Sequence, residues 1–421
     1  MSRVCMSRLF VIGAIAACYF MFAIMVNSVG TVILQSINSF GISKPDASTV
    51  EGFKDLSIAL VSFLVASFIP RMGYKIAMLI GLLLAAGACL VTPIWGDFVA
   101  IKVLFACIGT SFALVKVSVY SLIGQLTHDT RSHSSLLNTI EGIFMLGVLS
   151  GYWIFSAFID PNSPTSLDWL NVYYPLAGVL FLTACIVVFS PIEKTPVAKQ
   201  SNGLVQEFIG MLRLAYKPLV LVFVLSVFLY VLIEQGIGTW LPTFNSEVLH
   251  LPVDVSVQIT SIFAAMIAIG RLMAGQILKF VNWYLFLNVC IAMMATLMLL
   301  SLPLADDIDP MAITGIFTAP IAAYLLPLAG LMMAPIYPII NSVMLSSLEK
   351  AKHAQMTGLI VVFSALGGTT GSVVTGLVFD TFGGKKAFYL SLLPMALLAV
   401  TLFFFRNSTN KLSTSTLQSE Q

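Results

Sequence analysis

PIEKTPVAKQSNGLVQEFIGMLRLAYK, residues 191–217, is the longest polar stretch separating two strongly apolar halves. Working outward from it, runs of apolar residues recur on both sides, each long enough to cross a bilayer. The chain has 421 residues, of which 58% are hydrophobic and 10% charged, and its mean hydropathy is +0.98. A soluble protein is about a quarter charged. So few charges cannot cover a water-facing surface, and the solvent for most of this chain is lipid.

A helical span needs about 20 apolar residues. Twelve are expected, at 9–38, 49–70, 75–95, 98–124, 134–159, 169–190, 218–242, 255–278, 283–304, 312–346, 354–379 and 387–405. The stretch 191–217 divides them six and six. The reading is an all-α membrane protein of twelve transmembrane helices in two six-helix bundles, 1–190 and 218–407. Within the linker, 203–214 has an amphipathic pattern suited to a membrane surface, and 408–421 reads as a disordered tail rich in Ser and Thr. The first run follows Arg3 and Arg8 but is too long for a signal-peptide core, so it is expected to be retained.

Lysine and arginine placement sets the orientation. With the N-terminus inside, Arg71, Lys75, Arg131, Lys194, Lys199, Arg213, Lys279 and Arg406 fall on the cytoplasmic side. Asp97, Asp160, Asp168, Glu247, Asp306 and Asp307 fall outside, where Lys44, Lys385, Lys386 and the helix-end residues Lys54 and Lys102 are the exceptions. Both termini are therefore expected in the cytoplasm, with the protein a multi-pass, monomeric component of a bacterial inner membrane. A net charge of +2 with no basic run offers nothing to nucleic acid. The six cysteines (Cys5, Cys18, Cys89, Cys107, Cys185 and Cys290) lie in or beside apolar runs without CxxC spacing and read as small core residues.

The halves are related internally. Residues 133–160 and 353–380 align without gaps at a constant offset: His133 falls on His353, Ile140 on Ile360, Leu146 on Leu366, Gly147 on Gly367, Gly151 on Gly371 and Asp160 on Asp380. These mark the fifth span of each half, and glycines four apart allow close helix contact. Glu141 faces Val361 in this alignment, so that carboxylate is no part of the shared scaffold.

Charges inside spans cost roughly 2.5–3.5 kcal/mol at a helix centre on insertion scales and mark candidate function. Lys116 of span four and Glu141 of span five lie at similar depths from the same face, opposite in sign, so they are candidates for a cavity-lining pair. Glu234 lies deep in span seven with Gln235 beside it and Trp240 beyond; Gly236 and Gly238 mark a possible helix break there. Arg271 in span eight keeps its charge and needs acceptors, in a gate or against an anion. Ser48 and Glu51 have the spacing of a capping box, which assigns Glu51 and Asp55 to the start of span two, with Asp55 a secondary proton site. Asn27, Asn138, Tyr337 and Asn341 complete the expected substrate-binding set, and Pro335 and Pro338 are expected to kink span ten.

Several stretches resemble one family. GLMMAPIYPIINS (330–342) is similar to the tenth span of the fucose permease and related sugar:proton symporters, a branch of the major facilitator superfamily. LYVLIEQGIGTWL (229–241), IGRLMAGQIL (269–278) and LLNTIEGIFMLG (136–147) resemble its seventh, eighth and fifth spans. The loop ASFIPRMGYK (66–75) resembles the superfamily's GxxxDRxGRK, with Arg71, Gly73 and Lys75 in place but Ala66 for the first Gly and Pro70 for the Asp. The resemblance implies the major facilitator fold, a gating role for Arg71, Lys75 and Arg271, and a sugar substrate. The branch's acids of spans one and four face Gly30 or Thr31 and Ala113, so neither fucose nor that proton site carries over.

No cofactor, metal or enzymatic chemistry is expected. GGTTGS (367–372) lacks the Lys of a phosphate-binding loop, no HExxH occurs, and the histidines lie in loops or at helix starts. The expectation is a secondary transporter working by alternating access, coupled to a proton or other ion gradient. Glu141, Glu234 and Asp55 are the proton candidates. The substrate is a small organic anion, favoured by Lys116 and Arg271, or a sugar, favoured by the resemblance. A transporter-like receptor or assembly partner without flux is the alternative.

Overall fold

The computed structural model describes residues 3–65, 69–127, 130–192, 204–306, 308, 313, 315–349 and 352–419. Those residues are helical apart from turns and short connections. The first half runs α1 (Arg3–Val26), α2 (Val29–Phe40), α3 (Lys44–Val65), α4 (Ile69–Met72), α5 (Tyr74–Trp95), α6 (Phe98–Leu126), α7 (Thr130–Ser156) and α8 (Tyr173–Phe189). After α9 (Leu204–Ala215) come α10 (Pro218–Gly238), α11 (Leu241–Glu247), α12 (Val253–Ile277), α13 (Trp283–Ser301), α14 (Ala322–Met333), α15 (Ile336–Ser346), α16 (His353–Phe382), α17 (Gly384–Leu390) and α18 (Leu392–Ser419).

Eleven spans among the described residues are long and apolar enough to cross a membrane. The remaining expected span corresponds to α3, whose first twelve residues carry Lys44, Asp46, Glu51, Lys54 and Asp55 and are correspondingly less apolar. Backbone contacts divide the chain into two compact units, Met1–Gln200 with Pro252–Ser261, and Ser201–Leu251 with Ile262–Gln421. Helix α12 thus belongs to the first unit as far as Ser261 and to the second from Ile262.

Several spans are interrupted, each for a local reason. Span one breaks between α1 and α2 at Asn27 and Ser28, which the apolar run did not reveal. There Asn27 Nδ2 donates to Ala23 O and Ser28 Oγ to Met25 O, sharing those carbonyls with the long backbone N–H bonds of the same two residues, at 3.3 and 3.4 Å. Span ten breaks at Ala334 and Pro335, as its prolines imply. The break in span seven is not at Gly236 or Gly238, as read from the sequence. The α10 helix runs through both and ends before Thr239 and Trp240, just ahead of Pro242, which has no N–H to continue the ladder. The two glycines serve packing instead: a Cβ on Gly236 would lie 2.8 Å from Thr375 Oγ1, and one on Gly238 2.9 Å from the Phe263 ring.

Close glycine contacts hold each unit together. In the first, a Cβ on Gly147 would sit 2.6 Å from Phe20 O, and Gly151 lies against Ile24, so α7 presses on α1 one turn apart. In the second, Gly367 and Gly371 press α16 on α10 at Phe228 and Leu232 in the same way. The sequence repeat is therefore a repeat of contacts. Buried apolar side chains fill the rest, with Cys18, Cys89 and Cys290 among them.

At the chain's ends and joints two expectations meet different outcomes. The amphipathic stretch of the linker forms α9, with Met211 and Leu214 buried, Arg213 exposed, and its apolar side against α16. The tail read as disordered from 408 continues α18 as far as Ser419. No Gly or Pro follows Pro394 to stop the helix.

Candidate functional site

Two polar clusters stand out, one in each unit. The first is built on α1, α6 and α7. Glu141 of α7 is half-buried, and its Oε1 accepts from Tyr120 Oη at 2.6 Å and from Tyr19 Oη at 3.3 Å. The Tyr19 ring packs 4.9 Å from Phe144 and 6.1 Å from Phe112. Lys116 Nζ lies 5.5 Å from the centre of the Phe112 ring, and the Lys116 side chain is exposed. Phe112, Lys116 and Tyr120 are spaced four apart on α6 and so share one face. The sequence pointed to Lys116 and Glu141 as neighbours; it gave no sign of Tyr19 and Tyr120, the hydroxyls that hold the carboxylate. Asn138, one turn before Glu141, is exposed.

The second cluster is built on α10, α12, α15 and α16. Tyr230 Oη donates to Glu234 Oε1 at 3.1 Å, four residues on along the same helix. The Tyr230 ring lies 5.6 Å from that of Tyr337, whose hydroxyl is 3.2 Å from Ser364 Oγ and also bonds Asn341. The Arg271 side chain is exposed, and its charge is felt at both Tyr230 and Tyr337. Asn341 Oδ1 is buried without a hydrogen-bond partner. Gln235 faces its own turn, its Oε1 accepting from Thr239 Oγ1 at 3.1 Å. Each cluster thus combines a tyrosine-held glutamate with an exposed cation.

Trp240 and the start of α3 depart from the sequence reading. Trp240 presents no face to a ligand: it is 0% exposed, its Nε1 donates to Ser372 O at 2.9 Å, and its ring packs 5.6 Å from Phe379. It locks α16 to the start of α11. Asn27 is half-buried at the break in span one. The capping box at Ser48 does not form, because α3 begins at Lys44 and its start is capped by Ser43, whose Oγ accepts from Asp46 N at 3.3 Å and donates to Asp46 Oδ2 at 2.7 Å. Ser48 Oγ bonds Pro45 O instead.

With the cap displaced, Glu51, Lys54 and Asp55 fall in the helix interior. Lys54 Nζ is 2.5 Å from Glu51 Oε1 and 3.3 Å from Asp55 Oδ1. Glu51 is 0% and Lys54 4% exposed. This is the most deeply buried charge cluster among the described residues. Of the gate candidates, Lys75 Nζ donates to Ser190 O at 2.8 Å, tying the start of α5 to the end of α8, and Arg71 lies in the short α4.

Comparison with known proteins gives a consistent picture. The family model for the Major Facilitator Superfamily matches residues 15–369. The protein TsgA homolog of Buchnera aphidicola subsp. Schizaphis graminum (strain Sg) is 23% identical over 394 residues, covering 91% of this chain and 92% of that one. Among solved structures, a mutant form of the nucleoside transporter NupG superposes with a TM-score of 0.73 at 15% identity, over 95% of this chain and 99% of that one. A bacterial homolog of the human lysosomal transporter Spinster, inward-facing and unoccupied, superposes with a TM-score of 0.71 at 14% identity, over 99% of both. At such identities the structural likeness carries the fold alone.

Proposed function

The chain belongs to the major facilitator superfamily, a family of membrane transporters rather than an enzyme class, and from that premise we propose that it carries a small organic anion by alternating access, driven by a proton gradient. The observation that carries the substrate class is the pairing within each unit of an exposed cation, Lys116 or Arg271, with a glutamate already engaged by tyrosine. A glutamate holding phenol hydroxyls is a weaker attraction for an incoming cation, whereas an exposed ammonium or guanidinium is matched to a carboxylate or phosphate. Phe144, half-buried beside Glu141 with the buried Tyr19 and Phe112 rings behind it, offers an apolar face to the rest of such a molecule. Glu141, Glu234 and Asp55 are the acids available to couple a proton, and Lys75, Arg71 and Arg271 the cations available to gate. The distribution of lysine and arginine supports a cytoplasmic position for both termini.

A neutral sugar or similar ring is the second reading. It is favoured by the same aromatic cluster and by the resemblance of 330–342 to sugar:proton symporters.

The test is thermal stabilisation of the detergent-purified protein by a panel of sugars, organic acids and amino acids, repeated with Lys116→Ala and Arg271→Ala. A ligand raises the melting temperature by mass action on the folded state. A carboxylate or phosphate compound that stabilises the wild type and loses its effect in either variant is the expected result. Stabilisation by a neutral sugar that persists in both variants would overturn the anion reading. Binding without flux in liposomes would favour a receptor in place of a transporter.

A further inference from the structure

We propose that Glu51, Lys54 and Asp55 form a proton-carrying centre in the first unit, separate from the tyrosine-held glutamates of the two clusters. The inference rests on the proton-driven reading above and assigns the proton to a site. One ammonium stands between two carboxylates, at 2.5 Å from Glu51 and 3.3 Å from Asp55. With all three ionised the centre carries one excess negative charge. Taking up one proton on a carboxylate oxygen makes it neutral. An unbalanced charge buried in a helix interior costs several kcal/mol, and a balanced one much less. Proton occupancy therefore switches the centre between a form that is costly to bury and one that is not. The lysine holds both acids within reach of the same proton.

The surroundings suit that role. Glu51 and Asp55 lie seven and eleven residues into α3, roughly 10 and 16 Å from its start. Tyr152 of α7 is in electrostatic reach of Glu51 and Lys54. Helix α6 meets α3 at Gly109, and its own charges, Lys102 and Lys116, are seven residues to either side. Helix α2, packed on α3, has no ionisable side chain. It carries instead Thr31 Oγ1, Gln35 Nε2 and Ser36 Oγ, all buried and without a hydrogen-bond partner, with Gln35 only 1% exposed. Buried polar atoms of this kind are costly unless hydrated, and on the helix that flanks the centre they provide polar groups past which a proton passes from water to a carboxylate and back to water.

A physical link to the first cluster follows from the packing. A Cβ on Gly109 would lie 2.4 Å from Lys54 O, so the α3 backbone at the centre rests directly on α6. Seven residues on, two turns along the same helix, α6 presents Lys116. A shift of α3 as the charge changes is felt at the face that holds Lys116 and Tyr120.

The experiment is an infrared titration of the purified protein, reading the C=O stretch of protonated carboxyl groups as pH is varied. The expected result is a titrating carboxyl band in the wild type that is lost in both Glu51→Gln and Asp55→Asn, retained with a shifted midpoint in Asp55→Glu, and retained in Glu141→Gln and Glu234→Gln. The Asp55→Glu variant and the amide band of the same spectra separate loss of a proton site from loss of fold. No titrating band in the wild type, its survival in both triad variants, or its loss in Glu141→Gln or Glu234→Gln would each overturn the proposal. In liposomes, accumulation of any stabilising anion from the panel by Asp55→Asn should no longer respond to a pH gradient; an undiminished response would also overturn it. If no compound is transported by the wild type, the transporter reading fails while the infrared result still decides whether the centre holds a proton.

Discussion

The Cβ that Gly147 lacks would lie 2.6 Å from the carbonyl oxygen of Phe20, and the one Gly367 lacks 2.5 Å from that of Phe228. The same helix pair is thus brought to backbone contact by the same residue in each half, which is what a duplicated bundle requires at its tightest seam. A methyl group at either position has no room to enter without moving one helix from the other. Gly147→Ala and Gly367→Ala should each lower stability by about 1–3 kcal/mol, read as a drop in melting temperature in detergent. Gly142, on the same α7, has nothing within 4 Å of its Cβ position. Gly142→Ala should leave stability unchanged or raise it by up to about 1 kcal/mol, the helix-propensity difference. Equal effects at Gly142 and Gly147 would remove the packing argument.

Much of this architecture was legible in the sequence because a bilayer imposes a length and a polarity on every span, and the polar stretch 191–217 is visible against them. The glycine repeat was legible because close backbone approach leaves no choice of side chain. The breaks were harder. Asn27 and Ser28 interrupt span one with two ordinary residues whose side chains share carbonyls with their own backbone N–H groups, a device with no composition signal. In span seven two glycines drew attention away from Pro242, whose missing donor is the physical cause. The pair Ser48 and Glu51 mimicked a cap whose true place is five residues earlier, at Ser43, and so concealed a buried triad. Tyr19 and Tyr120 went unmarked because aromatic residues are common in membrane helices; only the four-residue step from Lys116 to Tyr120 hinted at a shared face.

Tyr120 makes the shorter of the two hydrogen bonds to Glu141, at 2.6 Å. A hydrogen bond to a charged group contributes about 1.5–3 kcal/mol. Tyr120 is itself exposed, so its hydroxyl is expected to matter more for presenting the carboxylate than for holding the fold. Tyr120→Phe should weaken binding of the stabilising ligand by about tenfold and shift stability by less than about 1 kcal/mol. Titrating the melting temperature against ligand concentration gives both numbers from one series. A large loss of stability with unaltered affinity would assign Tyr120 to packing alone.

Trp240 is the largest of the fully buried side chains, and its indole N–H ends on Ser372 O. Trp240→Phe keeps most of the ring contact with Phe379 and removes the hydrogen bond, at an expected cost of about 1 kcal/mol. Trp240→Ala also opens a cavity, for about 3–5 kcal/mol. Thermal melting of the pair checks the ranking. Comparable losses in the two would mean that the hydrogen bond, not the volume, secures α16 at this point.

Lys54 offers the sharpest energetic test of the buried triad. Replacing it by Met leaves two carboxylates in the interior of α3 without their cation, and breaking a buried pair from one side costs about 3–5 kcal/mol. Adding Glu51→Gln to Lys54→Met removes one of the orphaned charges. The double variant should therefore be more stable than Lys54→Met alone, although it carries more substitutions. The coupling, measured as the departure from additivity in melting experiments at neutral pH, is expected to be about 0.5–3 kcal/mol, as for residues in one ion-pair network. Additive losses would mean that Glu51 and Lys54 do not sense each other's charge. The 2.5 Å contact between them would then be a feature of geometry without energetic weight, and the triad could not act as a unit in holding a proton.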